Sequence, residues 1–239
     1  MFHLRIILRQ LLSEEGIPRA REWEETLMKL CLRFASHLSV NIRLPGGSMD
    51  VRKNIKIKKL PGGLPRDSEY VDGAVITKNV AHKSMFHDIR NPRIMLVTFP
   101  FDYHRVEGQF MAFDPLLAQE KEYLFNLVSR VAALRPHLVL VERSVSRLAL
   151  EYLLQANIAV ARTVKNSALQ FVSRATQAQV LTSMDRLVTE PQMGQCARFR
   201  ILSFEHNLFP VAGKRTCGLK VAPVTRCAQL SYAERTLTR

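Results

Sequence analysis

The sequence of 239 residues is poor in the features that mark several classes of protein. It has four cysteines, Cys31, Cys196, Cys217 and Cys227, and no two of them form a Cys-x-x-Cys pair. Neither a zinc ribbon nor a disulfide framework is therefore predicted, and a reducing intracellular compartment is the simpler expectation. The sequence also has no apolar run of about 18 residues, so it predicts no helix that spans a membrane.

Motifs that would indicate catalysis are also missing. There is no Gly-rich phosphate loop of the Walker or dinucleotide type, and the protein-kinase signatures are absent. Ser144 and Ser146 lack the flanking glycines of a hydrolase nucleophile elbow. Glu142 follows an apolar strand, where α/β proteins often place functional groups, but it has no partner base or nucleophile nearby in sequence. A surface or capping role is therefore favoured for this carboxylate.

A metal site is only weakly indicated, by His82, His87 and Asp88. Two histidines five residues apart in a loop are a poor match to the spacing of known metal ligands. We therefore favour two separate loop histidines over a metal site.

Acidic residues are few relative to basic ones. The chain has 35 Lys and Arg residues against 21 Asp and Glu, which gives a net charge of +14 and a pI near 10.1. This balance favours an acidic partner such as nucleic acid, an anionic membrane or an acidic protein. Because the excess is spread along the chain, a solvated basic surface or basic tails explain it equally well.

The densest basic segment is Val51–Leu60, which contains Arg52, Lys53, Lys56, Lys58 and Lys59. Ile55 and Ile57 alternate with lysines, which is the period of a half-buried strand. The basic residues could contact phosphates or another partner. Since no aromatic residue interleaves to stack on bases, we favour lysines that protect the solvent face of an edge strand.

The N-terminal region predicts two amphipathic helices, Met1–Leu12 and Arg19–Leu38. Leu4, Ile7, Leu8 and Leu11 lie on one face of the first helix. A transit peptide is disfavoured there because acidic residues follow immediately. In the second helix Trp23, the only tryptophan, is expected to anchor a core.

The middle of the chain predicts strands that alternate with helices. Strands without internal alternation, joined by helices, indicate a parallel sheet covered on both faces. The predicted strands are Ala74–Thr77, Ile94–Phe99, Leu138–Val141, Ile158–Ala161, Gln179–Leu181 and Cys196–Phe204. The predicted helices start at Asp114 as N-cap, at Ser144 as N-cap with a left-handed end at Asn157, and at Ser167. From Gly213 to Arg239 no period is convincing, which favours a weakly ordered basic tail.

The amino-acid sequence of several segments resembles that of a known protein family. Gly73–Met85 with Asn91–Ile94, and later Glu120–Ala178, resemble the apical domain of group II chaperonins. A particular relative of those domains is more similar still, namely the chaperonin-like region of the PIKfyve-type phosphatidylinositol 3-phosphate 5-kinases. The runs that are similar to this group are Lys58–Gly63, Thr77–His82 and Phe113–Glu120. The resemblance covers about Met1 to Thr216.

The resemblance implies an α/β fold with a chaperonin apical-domain-like core at residues 45–190. Residues 1–44 would form N-terminal helices of a partial intermediate domain, and residues 191–239 a partial return strand with a weakly ordered basic tail. After about Thr216 the sequence departs from the family, as a truncated gene, a frameshift or an alternative end would produce. A missing return strand is expected to leave an unpaired sheet edge that aggregates or is disordered. Gln177 stands where the family usually has glycine, so it is expected to lie in a turn.

The resemblance also implies a function. The expected role is a non-catalytic docking module that binds the scaffold protein and the phosphoinositide phosphatase of the kinase complex. No cofactor is expected in this chain, because ATP and magnesium belong to a lipid kinase domain that has no counterpart in these residues. The expected location is cytoplasmic, peripheral to endosomal or vacuolar membranes through the partners, with no specific nucleic acid.

Two alternatives remain open. An independent apical-type chaperone would bind unfolded polypeptide and would need an exposed apolar groove between two helices. The linker from Gly108 to Asp114 is too short for the protrusion that closes chaperonin rings, which argues against a folding chamber. A nucleic-acid or anionic-lipid binder would rest on charge alone, and its binding would weaken steeply with salt.

Overall fold

The computed structural model describes residues 2–37, 55–61, 64–103, 113–188, 190–204, 216–223 and 228–234. The chain divides into two compact units, the first made of residues 1–75, 203–216 and 226–239, the second of residues 76–202 and 217–225. The domain boundaries predicted at residues 44 and 190 stay predictions. Arg52, Lys53 and nearly all of the linker after Gly108 lie outside the described residues.

The first unit begins with two helices, α1 (Phe2–Glu14) and α2 (Ala20–His37). The turn after α1 uses Gly16 at φ 61°, where its N–H donates to the Ser13 carbonyl oxygen at 3.1 Å. This left-handed residue ends the helix because glycine adopts it without a Cβ clash. Trp23 is buried, as are Met28 and Leu30 of α2, so its predicted role as a core anchor is confirmed.

The first unit also contains a three-stranded sheet of β1 (Ile55–Pro61), β2 (Tyr70–Asp72) and β11 (Ala228–Glu234). The order is β1-β11-β2, with β11 parallel to β1 and antiparallel to β2. Strand β11 pairs with β1 along its full length, but β1 and β2 are the outer strands of this sheet, so the expected unpaired edge that aggregates or is disordered stays a prediction. Residues 213–239, interpreted from the sequence as a weakly ordered basic tail, contain two strands that the sequence pattern did not predict, β10 (Thr216–Pro223) and β11.

Strand β1 is an edge strand of this sheet, as predicted. The predicted burial of its faces is wrong, however. Ile57 is mostly exposed, whereas Lys56 and Lys58 are half-buried. Period-two alternation locates two faces of a strand but does not say which one the neighbouring elements cover.

A second sheet has the order β3-β10-β9-β5-β6-β7, with β4 beside β9 and β8 beside β5. Its parallel pairs are β5–β6, β6–β7 and β5–β8, and β9 runs antiparallel to β5 and β4. The predicted α/β class and the parallel strands are confirmed. The remaining strands are β3 (Ala74–Thr77), β4 (Asp88–Arg90), β5 (Arg93–Val97), β6 (Leu138–Val141), β7 (Ala159–Ala161), β8 (Val180–Leu181) and β9 (Gly194–Phe204).

The core of the second unit lies around the parallel strands. Every residue of β6 and β7 is buried, as are all residues of β5 except Arg93. Complete burial of a strand requires cover on both faces, which explains why these segments are continuous apolar runs. The helices of this unit are α3 (Phe113–Ala133), α4 (Arg147–Gln155) and α5 (Asn166–Thr176).

Two predicted helix starts are each wrong by two positions. The N-cap of α4 is Ser146, whose Oγ accepts a hydrogen bond from the Ala149 N–H at 3.2 Å. Ser144, the predicted cap, instead donates its hydroxyl to the Asp102 carboxylate. Helix α3 begins at Phe113, so Asp114 lies inside the first turn rather than before it.

Two left-handed residues end helices where the sequence predicts turns. Asn157 has φ 58° after α4, so its predicted conformation is confirmed. Gln177 has φ 59° at the end of α5, so the residue that replaces glycine does lie in a turn. Its side chain donates to the Arg174 carbonyl oxygen at 3.0 Å, which satisfies one of the carbonyls at the helix end.

Candidate docking surface

Three loops follow the carboxyl ends of the parallel strands of the second unit, and we call them the carboxyl-edge loops: residues 98–103, 142–146 and 162–165. The N–H of Phe101 donates to the Ser144 carbonyl oxygen and the N–H of Ser146 to that of Phe101, both at 3.0 Å. The N–H of Thr163 donates to the Arg143 carbonyl oxygen at 3.2 Å. Backbone bonds therefore join the three loops to one another and fix their conformation.

Thr163 lies in the last of these loops with an unusual backbone conformation. Its φ is 53°, which is uncommon for a β-branched residue because Cβ crowds the backbone. Its Oγ1 donates to the Arg162 carbonyl oxygen at 2.7 Å and accepts from the Nζ of Lys78 at 3.1 Å. A residue in this region persists only where its surroundings hold it, so the loop is a defined feature of the surface.

The charges of the carboxyl-edge loops are unbalanced. The Glu142 carboxylate accepts from the Asn166 side chain at 3.4 Å, and the Asp102 carboxylate accepts from Ser144. Within the part of the chain that the structure describes, the three basic side chains Arg143, Arg162 and Lys165 are exposed and form no ion pair. A hydrogen bond from a neutral group leaves a carboxylate charged, so the loops carry three positive and two negative charges, an excess of one positive charge.

The serine hydroxyls of these loops have structural partners. A catalytic serine donates to a base that a third group orients. Here the Ser144 hydroxyl donates to the Asp102 carboxylate and the Ser146 hydroxyl caps α4. Glu142 contacts Asn166, in the first turn of α5. What this arrangement can do chemically is present charge and hydrogen-bonding groups to a partner.

The histidines and aspartate of the weak metal prediction have separate environments. The Nδ1 of His82 accepts from the Ser84 N–H at 3.2 Å. Asp88 receives both Nε and Nη2 of Arg198, at 2.9 and 2.5 Å, and this pairing lowers the pKa of the Asp88 carboxyl. Among the described residues no three His, Cys, Asp or Glu side chains are grouped to hold a metal ion.

The predicted basic strip of β1 is only partly described. Lys56 and Lys58 lie on one face of the strand and are half-buried. Arg52 and Lys53 lie outside the described residues, as does the side chain of Lys59. A contact between this strip and a polyanion or other partner stays a prediction.

An aromatic pair that the sequence analysis missed lies between α3 and α4. Phe125 is 57% exposed, and its ring meets that of the half-buried Tyr152 edge to face, with centroids 5.8 Å apart. The signal was present in the sequence, because Phe125 lies off the stripe formed by Leu124, Leu127 and Val128. A single exposed aromatic residue is common on protein surfaces, so this pair does not by itself indicate a site.

None of the helices in the described part of the chain has the length and hydropathy needed to cross a membrane.

Comparison with known proteins identifies the family. The chain is 38% identical over 204 residues to the 1-phosphatidylinositol 3-phosphate 5-kinase of Mus musculus. The aligned segment covers 85% of this chain and 10% of the kinase. It is 35% identical over 205 residues to the corresponding kinase of Saccharomyces cerevisiae, with 85% and 9% covered. The chain thus spans about a tenth of the length of these curated relatives.

A solved structure agrees with the fold. The open-state monomer of a group II chaperonin from Methanococcoides burtonii superposes with a TM-score of 0.69 at 22% identity, over 92% of this chain and 48% of the chaperonin. The sequence model of the TCP-1/cpn60 chaperonin family matches residues 20–221. The match covers most of the sequence, and the chain belongs to the TCP-1/cpn60 chaperonin family.

Proposed function

We propose that this chain is a non-catalytic docking module of the phosphatidylinositol 3-phosphate 5-kinase family. The observation that carries the proposal is the pattern of identity, which is 38% over 85% of this chain but falls on only 10% of the kinase. The matched part is chaperonin-like, and in this proposal the shared segment holds the enzyme in place. Its partners are the scaffold protein and the phosphoinositide phosphatase of the kinase complex.

The carboxyl-edge loops are the docking surface that the geometry supports best. Backbone bonds hold them in one conformation, so little conformational entropy is lost when a partner binds. Exposed Arg143, Arg162 and Lys165 suit an acidic face of a partner, since charge complementarity sets specificity and association rate. Through such partners the chain is held at endosomal or vacuolar membranes, and it requires no cofactor of its own.

Charge reversal on the loops tests the proposed surface. The triple variant of Arg143, Arg162 and Lys165 to Glu is compared with wild type for binding to the purified scaffold and phosphatase. Like charges at an interface cost several kcal/mol, so affinity should fall by about a hundredfold or more. The matched control reverses Lys121, Arg130 and Arg135, which are also exposed on the second unit. Equal losses in both variants would refute these loops as the docking surface.

An independent apical-type chaperone is the second candidate function. The observation that favours it is the exposed Phe125 ring against Tyr152 between two helices, which offers apolar surface to an unfolded chain. Phe125→Ser should abolish any suppression of aggregation of several unrelated proteins while leaving binding to the scaffold intact. Suppression that survives this substitution would remove the structural basis of the chaperone function.

A further inference from the structure

A cleft between α1 and α2 of the first unit has no role in the proposed docking function. Its volume is about 490 Å³, within the range of sites that bind small ligands. Helix α1 contributes two arginines, and α2 contributes the rest of the lining. The charged residues of the lining are Arg5, Arg9, Arg21, Glu24, Glu25 and Lys29.

The cleft holds more positive charge than its own carboxylates balance. The Arg9 Nε lies 2.7 Å from the Glu24 Oε2, and the Glu24 side chain is only 9% exposed. The pKa of Glu24 is lowered mainly by this hydrogen bond, with further contributions from the charges of Arg5 and Arg21. Arg9 and Glu24 thus balance each other. Arg5, Arg21 and Lys29 are left with Glu25 as the only other carboxylate of the lining. Cations grouped in this way attract an anion.

Apolar side chains stand beside these cations. Phe2, Arg5, Ile6 and Arg9 are spaced i, i+3, i+4 and i+7, so they share one face of α1. Phe2 is 72% exposed, and Ile6 is exposed as well. Across the cleft Leu32 of α2 is also exposed. Large apolar side chains interleaved with cations are typical of a surface that lies on a lipid bilayer.

We propose that this cleft binds the phosphate headgroups of anionic lipids at a bilayer surface. Arg5, Arg21 and Lys29 contact the phosphates, because guanidinium and ammonium groups complement them. Arg9 is paired with Glu24 and is therefore not among the phosphate contacts.

The apolar side chains favour a lipid over another anion. Phe2, Ile6 and Leu32 enter the boundary between headgroups and acyl chains. A site for free phosphate has no use for exposed apolar side chains such as Leu32 in its lining and Phe2 and Ile6 on the same face of α1 as Arg5 and Arg9. This site gives the chain its own contact with a membrane, independent of the docking partners.

Vesicle flotation with the full chain tests the proposal. Binding to phosphatidylcholine vesicles is compared with binding to the same vesicles containing phosphatidylserine or phosphatidylinositol 3-phosphate. Wild type should float only with the anionic vesicles. The variant Arg21→Gln with Lys29→Gln should bind roughly fivefold more weakly for each charge removed. The variant Phe2→Ser with Ile6→Ser should lose most binding at unchanged charge.

A matched control and a folding control accompany the variants. Lys121→Gln with Arg130→Gln removes the same charge from exposed positions of the second unit and should reduce binding little. Trp23 is a buried residue of α2 and the only tryptophan of the chain. Unchanged tryptophan fluorescence therefore shows that the first unit is folded in each variant.

Four outcomes would overturn the proposal. No flotation of the folded wild type excludes a lipid site, and equal loss in the control variant shows an effect of net charge alone. Release of the chain by soluble inositol phosphate, with no effect of Phe2→Ser and Ile6→Ser, indicates a site for free phosphate. Equal binding to poly-glutamate with the same indifference to Phe2 and Ile6 indicates an acidic protein. None of these results bears on binding to the scaffold, so the docking proposal stands or fails separately.

Discussion

The parallel strands of the second unit and helix α1 of the first unit use apolar residues in opposite ways. Strands β6 and β7 bury every side chain. Helix α1 buries only Leu12 and leaves Phe2, Ile7 and Leu11 exposed. Its Arg9 pairs with the Glu24 carboxylate of α2. The comparison indicates that the strands are stabilised by their own packing. Helix α1 instead keeps apolar side chains at its surface, where they are available to contact another molecule.

The largest expected effect comes from the buried strands. Leu140 is fully buried in β6, so Leu140→Ala should lower the free energy of unfolding by about 2–5 kcal/mol. Leu11→Ala on α1 removes the same atoms from an exposed site and should change it by about 0.5 kcal/mol or less. Denaturant unfolding of both variants, followed by circular dichroism, checks the pair. Similar losses of unfolding free energy in the two variants would contradict the claim that apolar side chains stabilise β6 but not α1.

A smaller effect is expected at two glycines. A Cβ on Gly194 would lie 2.6 Å from the Thr176 Oγ1 and 2.7 Å from the Ala178 Cβ. Gly194→Ala should therefore cost about 1–3 kcal/mol through overpacking.

Gly16 provides the contrasting case in the first unit. It has open space around it and a φ of +61°, so Gly16→Ala should cost about 1 kcal/mol through backbone strain. Thermal unfolding of both alanine variants, with Gly16→Asn alongside, separates the causes. Asparagine tolerates the left-handed region, so it should recover stability at position 16. Failure of Asn to recover it would argue against strain as the cause.

The smallest expected effect is the pH dependence of the first unit. The pKa of Glu24 lies below its ordinary value of 4.5, first because of the hydrogen bond from Arg9. A carboxyl whose pKa is lower in the folded state stabilises that state above its unfolded pKa. This stabilisation is lost as the pH falls from about 4.5 through the lowered folded value.

Acid titration of Trp23 fluorescence measures this loss. Glu24→Gln should remove part of the decline in stability below the ordinary pKa of glutamate. Glu25→Gln is the control, because Glu25 is exposed and forms no ion pair with any described residue. An unchanged acid profile in Glu24→Gln would show that the Arg9 pair contributes nothing to stability.

Local pattern predicted the second unit well and the first unit less well. The continuous apolar runs of β6 and β7 indicated buried parallel strands, and Asn157 indicated its left-handed turn. The pairing of β11 with β1 was missed because a non-local pairing leaves no periodic signal in either segment. The cap of α4 was placed at Ser144 because two serines had the same local chemistry, and only the contact with Asp102 distinguishes them.

The candidate sites depended even more on tertiary contacts. The basic residues of the carboxyl-edge loops come from separate segments, and only the parallel sheet brings those segments to one edge. The cleft between α1 and α2 requires the packing of two helices and the burial of Glu24. Its charged residues on α2 mix both signs, as on an ordinary solvated face.

Competition with the kinase tests the account most directly. The purified chain is added to the scaffold with the bound phosphatidylinositol 3-phosphate 5-kinase, and displaced kinase is measured. The chaperonin-like segment cut from the kinase itself serves as the positive control. We predict that this chain displaces the kinase. The variant in which Arg143, Arg162 and Lys165 are all changed to Glu should not displace it. Displacement by the kinase's own segment but not by this folded chain would contradict the docking function.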